Sequence, residues 1–240
     1  RKDAQKAIIR YVSTNGNRVL TTDEVTGKSG EAIAYSTTSQ INEFKKQGYK
    51  LVSDEFTAGG AKVYDYDTAR DQVYTVTLSE RVEPVNPDNP TPQPNTPVNP
   101  GQPDSPRWPG TVENLDNKES VSRTIHYVYE DGSKAKDDVV ETLQFKRWSN
   151  VNLVTGHIDF QDWTTNDDTF DKVVSPTIAG YTADKSEIPA VSGVQAKDQD
   201  RVETVTYRKD AQKAIIRYVS TNGNRVLTTD EVTGKSGAVS

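Results

Sequence analysis

The chain has 240 residues, with 29 Lys and Arg against 35 Asp and Glu, a formal net charge of -6 and no long block of either sign, which excludes nucleic acid or an anionic membrane as its main partner. It holds neither Cys nor Met, so disulfides, thiolate metal sites and thiol redox chemistry are excluded as well. With 32% apolar residues the cores must be small, while 11 Tyr, 3 Trp and many Val and Thr fit a β-rich globular class.

Residues 1 to 30, RKDAQKAIIRYVSTNGNRVLTTDEVTGKSG, return without a change at residues 208 to 237. Identity over that length marks a tandem duplication: one repeat over positions 1 to 207, then the start of another. The repeat is far longer than a solenoid unit and is expected to hold self-sufficient domains in series. There is no initiator Met, apolar leader or membrane-spanning run, and the expectation is a piece cut from a longer polypeptide.

The first segment, AIIRYVSTNGNRVLTTDEVTG, alternates about Asn15-Gly16 and predicts two paired strands with Ile9 and Tyr11 on one face. TTSQINEFKKQG predicts a short helix, with Thr37 and Gln40 as a capping box, Ile41 and Phe44 facing inward, Lys45 and Lys46 in solvent, and Gly48 as the stop. YKLVSD, AKVYDYD and DQVYTVTLSERV then read as three more strands. Two strands, a helix and further strands is the order of an α+β domain of β-grasp type, here assigned to residues 1–83.

Ten of the 12 prolines fall between Pro84 and Pro109, at spacings of two or three. Residues 84–106 therefore read as a Pro-rich linker; fully extended as polyproline II, the stretch from Pro84 to Pro109 would reach roughly 80 Å. A plain spacer is one reading and a ligand for an aromatic groove the other.

A second, mainly β domain is assigned to residues 107–207. TIHYVYEDGSK lines up with IIRYVSTNGNR, with Gly132 on Gly16 and Ile125 and Tyr127 on Ile9 and Tyr11, and DRVETVTYRKD lines up with DQVYTVTLSER. It is thus an elaborated relative of the first domain. Its extra residues, FKRWSNVNLVTGHIDFQDWTTNDDTFDKVVSPTIAGY, lack a helical period and read as strands and turns. Residues 208–240 hold the next repeat's first hairpin without its helix or later strands, and are expected to be frayed, packed on the second domain or paired with another molecule.

His126 and His157 are the only histidines, and no nucleophile elbow, P-loop or dinucleotide motif occurs, so the chain is read as a non-enzyme. In YDYDTARD, Asp65, Asp67 and Asp71 offer oxygen donors suited to Ca²⁺, although the loop lacks the Gly and Glu of an EF-hand; a solvated acidic turn is the competing reading. NDDTFD, with Asp167, Asp168 and Asp171, reads as a turn. Contact with a glycan asks for exposed aromatic faces beside amides and carboxylates. Trp148, Trp163 and Tyr181 are the candidates, and a place in the core is the competing reading for each.

Taken together, IIRYVSTNGNRVLTTDEVTGKSGE and GYKLVSD in the first domain, with TFDKVVSPTIAGYTADKSEIPAVSG and VETVTYRKD in the second, resemble the Mub repeat of mucus-binding proteins from lactobacilli. The resemblance implies a ubiquitin-like β-grasp domain called B1, followed by a larger mucin-binding domain called B2, itself related to the β-grasp. It implies an extracellular adhesin, anchored to the cell wall through parts absent here, that binds mucin glycoproteins, with immunoglobulins as partners in some members. It requires no cofactor and no membrane insertion of this segment. An immunoglobulin-binding module and a stalk repeat projecting a distal tip are the alternatives, and the long Pro-rich insert departs from the usual pattern.

Overall fold

The computed structural model describes residues 2–239. Strands β1 (Ala4–Ser13) and β2 (Arg18–Lys28) lead to helix α1 (Thr38–Lys46), then β3 (Tyr49–Asp54), β4 (Gln72–Glu80) and β5 (Val82–Val85). After a 3-10 turn at Gly110–Asn114 come β6 (Lys118–Tyr129), β7 (Lys134–Lys146), β8 (Ser149–Asn152), β9 (Ile158–Phe160) and β10 (Val173–Val174). The chain continues with β11 (Tyr181–Ala183), β12 (Glu187–Ile188), β13 (Arg201–Lys209), β14 (Ala211–Ser220) and β15 (Arg225–Lys235). These elements form two compact units. One is the chain up to Asn117 with Arg147–Asp162, and the other is Lys118–Lys146 with the chain from Trp163 on.

In the first unit β1 and β2 pair antiparallel about the Asn-Gly turn, from Ala4 opposite Lys28 to Ser13 opposite Arg18. Alternation along β1 turns Ala7, Ile9 and Tyr11 to the covered face, where all three are fully buried. α1 packs on this face through Ile41 and Phe44, with the Phe44 ring centroid 5.7 Å from that of Tyr11. After the helix the chain enters the sheet at its far edge as β3 and turns back as β4, which lies antiparallel to β3 and parallel to β1, so the order is β2-β1-β4-β3.

Two local expectations differ here. Thr37 precedes the helix but already sits at helical φ -79° and ψ -11°, so its oxygen is not placed over the first-turn amides and no capping box with Gln40 forms. AKVYDYD is not a strand. It makes a single bridge, Ala32 opposite Val63, because the Tyr64 amide donates to Glu31 and its carbonyl accepts from Gly30.

The Thr37 hydroxyl donates instead to Asp54, 2.6 Å away. Asp54 also accepts from the Thr57 hydroxyl at 2.7 Å and from the amides of Phe56 and Thr57 at 2.9 and 3.1 Å. Burial alone would raise the Asp54 carboxyl, but the four hydrogen bonds outweigh it and hold the group below the usual carboxylate range. A depressed folded-state pKa means that the stabilisation is complete above the unfolded carboxylate value and is lost as pH falls through the folded one. Asp54→Asn is therefore expected to cost about 1–3 kcal/mol at pH 7. Urea unfolding repeated at about pH 2, below the ordinary carboxylate range, should show a much smaller gap between variant and parent.

The Pro-rich segment does not run out as an extended spacer. Asn95 donates its amide to the Trp108 carbonyl at 2.8 Å, Trp108 to that of Thr96 at 2.9 Å and Val98 to that of Pro106 at 2.9 Å, so the chain doubles back on itself. The apolar residues between the prolines account for this. Val85 is buried with Val112, Val151 and Leu153, and Val98, Trp108 and Leu115 pack against that cluster. β5, at the start of the segment, pairs antiparallel with β8, and β8 with β9, giving a three-stranded sheet. The compact units thus differ from the boundaries read in the sequence: residues 147–162, placed there in the second domain, close the sheet of the first unit. This sheet is tied in at Gly48, whose carbonyl accepts the Arg81 amide at 2.9 Å, while the Arg81 carbonyl accepts the Leu153 amide at 2.9 Å.

The second unit repeats the first topology without the helix. β6 pairs antiparallel with β7 and parallel with β13, and β13 pairs antiparallel with β11. Val121, Arg123, Ile125 and Tyr127 alternate inward along β6. Val121 joins Leu143, Phe145 and Phe170 in one cluster, and Ile125 and Tyr127 join Ile188, Val205 and Tyr207 in another. Arg123 lies between the two on the same strand face. Residues 211–235, for which fraying, packing or pairing was expected, form a complete hairpin, β14 with β15.

Candidate functional site

Strand alternation makes the two faces of the β5–β8–β9 sheet chemically opposite. Val85, Ser149 and Val151 point to the core and are buried. The residues between them, Pro84, Trp148, Asn150 and Asn152, turn outward. Facing them on the neighbouring strand are His157, Asp159 and Gln161, all exposed. The ladder extends by one pair past β8, since the Gln161 amide donates to the Trp148 carbonyl at 2.9 Å.

Trp148 is 41% exposed on this outward face. Its backbone is held by Arg147, whose amide donates to the Asn117 carbonyl at 3.0 Å. The Arg147 guanidinium is in turn fixed by the Asp116 carboxylate at 3.1 Å and lies over the Phe160 ring, 3.8 Å from its centroid. An aromatic ring is therefore presented on a pre-organised edge, and its exposure is not the result of a loose loop. Beside it, the side-chain amides of Asn150 and Gln161 make no hydrogen bond among the described residues. Asn152 is committed to Glu80 at 2.9 Å, and His157 pairs with Asp159 at 3.0 Å. The face thus offers a flat apolar ring, two unspent amides and a carboxylate, the functional groups that match the C–H face and hydroxyls of a sugar.

The structure separates the three aromatic candidates. Trp163 belongs to the second unit, where it is half-buried against the Val121, Leu143 and Phe170 cluster, so its ring serves the core. Tyr181 is also half-buried, with its ring centroid 4.9 Å from that of Tyr129, and lines a cleft of about 490 Å³ together with Glu130, Tyr207 and Lys209. Sequence reasoning missed Asn150, Gln161 and Tyr129. The two amides carry a signal only once the register of β8 against β9 shows that they flank Trp148.

Asp65, Asp67 and Asp71 are not gathered round a common point. Asp65 accepts the Asp67 amide at 3.1 Å, Asp67 accepts the Ala69 amide at 2.9 Å, and Asp71 pairs with Lys6 at 3.5 Å. Among the described residues no group of three or more His, Asp or Glu side chains is placed to hold a metal ion. In NDDTFD, Asp167 accepts the Thr169 amide at 2.9 Å, as a turn does. His126 pairs with Asp138 at 2.9 Å on an exposed strand face. No helix among the described residues is long and apolar enough to cross a membrane.

Residues 5–80 match the mucin binding domain family, and residues 112–211 match the Muc B2-like domain family. Among solved structures, the chain is 28% identical to the type 2 repeat of the mucus binding protein MUB from Lactobacillus reuteri, over 86% of this chain and 100% of that one, with a TM-score of 0.55. It is 26% identical to Mub-RV, over 86% of this chain and 99% of that one, with a TM-score of 0.67. No curated protein matches the chain. A mucin binding domain followed by a Muc B2-like domain, in an arrangement shared with two Mub repeats along most of its length, places the chain in the Mub-repeat family of mucus-binding proteins.

Proposed function

We propose that this chain is a non-enzymatic adhesin repeat that binds mucin glycans through the outward face of the β5–β8–β9 sheet, with Trp148 as the stacking platform and Asn150 and Gln161 as hydroxyl partners. The observation that carries the assignment to this face is an exposed Trp148 held by a locked Arg147, next to two amides with nothing else to bind. The family match supports mucin as the partner class. The order β2-β1-β4-β3, with β1 parallel to β4 and α1 across one face, supports reading the first domain as a ubiquitin-like β-grasp.

The thirty identical residues at 1 and 208 support action as a tandem array. Linked modules can raise avidity roughly 10²- to 10⁴-fold without a new contact, so each site need bind only weakly. Such a protein works outside the cell, anchored through other parts of its polypeptide.

The test is retention on immobilised mucin before and after enzymatic removal of its sugars. The parent chain should be held by intact mucin and lost from stripped mucin, and Trp148→Ala should weaken retention about tenfold or more, as removal of a binding hot spot does. Its melting temperature should stay near that of the parent, because the ring is not part of the core. Equal retention on stripped mucin would sink the glycan reading, and a loss seen with Tyr181→Ala but not with Trp148→Ala would move the site to the Tyr129–Tyr181 cleft.

A further inference from the structure

The register of the β5–β8–β9 sheet fixes what surrounds the Asn150 amide. Pro84 stands opposite it on one side and Asp159 on the other, so a row across the outward face reads proline, amide, carboxylate. Side chains directly opposite each other have Cβ atoms about 5 Å apart, and the next row, with Trp148 and Gln161, lies about 7 Å along the strands. Asp159 is 78% exposed and spends Oδ1 on His157, leaving Oδ2 without a partner among the described residues. No outward position of β5, β8 or β9 carries Lys or Arg. Arg147, the cation next to Trp148 in the chain, turns to the other face by the same alternation, where it is committed to Asp116 and to the Phe160 ring.

We propose that Asp159 is a specificity-determining residue that makes this face select uncharged sugars, a role that rests on the face being a glycan site. An ionised carboxylate only accepts hydrogen bonds, so its partner must be a donor, and a sugar hydroxyl is one. A carboxylated or sulfated sugar instead brings a second acceptor with the same charge. Stacked on Trp148, it lies within one row of Asp159. The donors left to answer it are the neutral amides of Asn150 and Gln161, since the proline has none. At such separations the repulsion amounts to about a fivefold loss of affinity. The excess of 35 Asp and Glu over 29 Lys and Arg in the whole chain acts in the same direction at longer range. Asp159→Asn keeps an acceptor oxygen for the hydroxyl, removes the charge and adds a donor, so it should take neutral and acidic sugars alike.

The test uses the glycans of mucin itself. O-glycans released from mucin are separated by anion exchange into a neutral and an acidic pool, and each pool competes with immobilised mucin for the full chain. A protonated His157 would offset the Asp159 charge, so the comparison is made at about pH 8, above the ordinary imidazole range. The neutral pool should displace the parent chain at about fivefold lower glycan concentration than the acidic pool. Added salt should narrow that ratio, as it screens exposed charges. Asp159→Asn should bring the two pools level through a gain for the acidic pool, with an unchanged melting temperature because the side chain lies in solvent.

The role of Asp159 is overturned if the acidic pool displaces the parent as well as the neutral pool does, or if Asp159→Asn leaves the ratio of the two unchanged. Either result leaves the glycan site in place, provided that Trp148→Ala still weakens retention. Retention that neither pool displaces, or that Trp148→Ala does not weaken, would overturn the glycan reading of this face, and the role of Asp159 with it.

Discussion

Gly48→Ala is expected to destabilise the first unit by about 3–5 kcal/mol, through backbone strain and a clash that no side-chain adjustment relieves. Gly48 has φ +103°, a conformation that a Cβ disfavours. The added Cβ would also lie 2.5 Å from the carbonyl carbon and oxygen of Leu153, which are backbone atoms. Leu153 cannot retreat without breaking its amide's bond to the Arg81 carbonyl, and Arg81 is itself bonded to the Gly48 carbonyl. Gly60→Ala separates the two contributions. Its φ is +94° but a Cβ there meets nothing within 4 Å, so it should show only the conformational cost, about 1–2 kcal/mol. Urea midpoints for the two variants measure the difference, and equal midpoints would mean that the approach to Leu153 is not a real constraint.

Arg123→Met is the second large effect, expected at about 3–5 kcal/mol and confined to the second unit. Arg123 is 1% exposed. Its guanidinium donates to the Pro189 carbonyl at 3.0 Å and to the Asp171 carbonyl, stands 3.7 Å from the Glu141 carboxylate, and lies 5.2 Å from the centroid of the Phe170 ring. Methionine fills much of the same volume but leaves two carbonyls without donors and a carboxylate without its cation. Arg123→Lys should recover little, since one ammonium cannot span contacts that a planar fork reaches from different sides. Removing Glu141 as well, as Glu141→Gln in the Arg123→Met chain, should restore part of the loss. Thermal unfolding of the parent, Arg123→Met, Glu141→Gln alone and the double variant completes the cycle, and simple additivity would show that the two side chains do not act together.

What could be read in the sequence was local. The Asn15-Gly16 turn, the Ile41 and Phe44 spacing and the stop at Gly48 depend on a few neighbouring residues, and each appears as expected. The correspondence of TIHYVYEDGSK with IIRYVSTNGNR and of DRVETVTYRKD with DQVYTVTLSER marked the second domain as a relative of the first, and β6 and β13 pair in parallel as β1 and β4 do. What could not be read was long-range. Nothing near Val82 or Val85 says that their partner is β8, more than sixty residues on, and proline spacing says nothing of the Val98 and Trp108 side chains that fold the segment down. Arg123 is a charge in the middle of a strand, and only the carbonyls of Pro189 and Asp171, from distant loops, show why it turns inward. Trp148 was ambiguous for the same reason: which face of β8 is covered depends on residues that arrive from the Pro-rich segment.

The parallel pairings have a mechanical meaning. β1 runs alongside β4 through seven residue pairs, and β6 alongside β13 through another seven. Each pair joins the first strand of its sheet to a later one pointing the same way, so tension between Ala4 and Glu80, or between Lys118 and Lys209, drags the neighbours past each other lengthwise. The slanted ladder bonds then share the load and must yield together, whereas strands peeled apart from one end would release them singly. A sheet loaded in this way resists extension far better along its strands than across them.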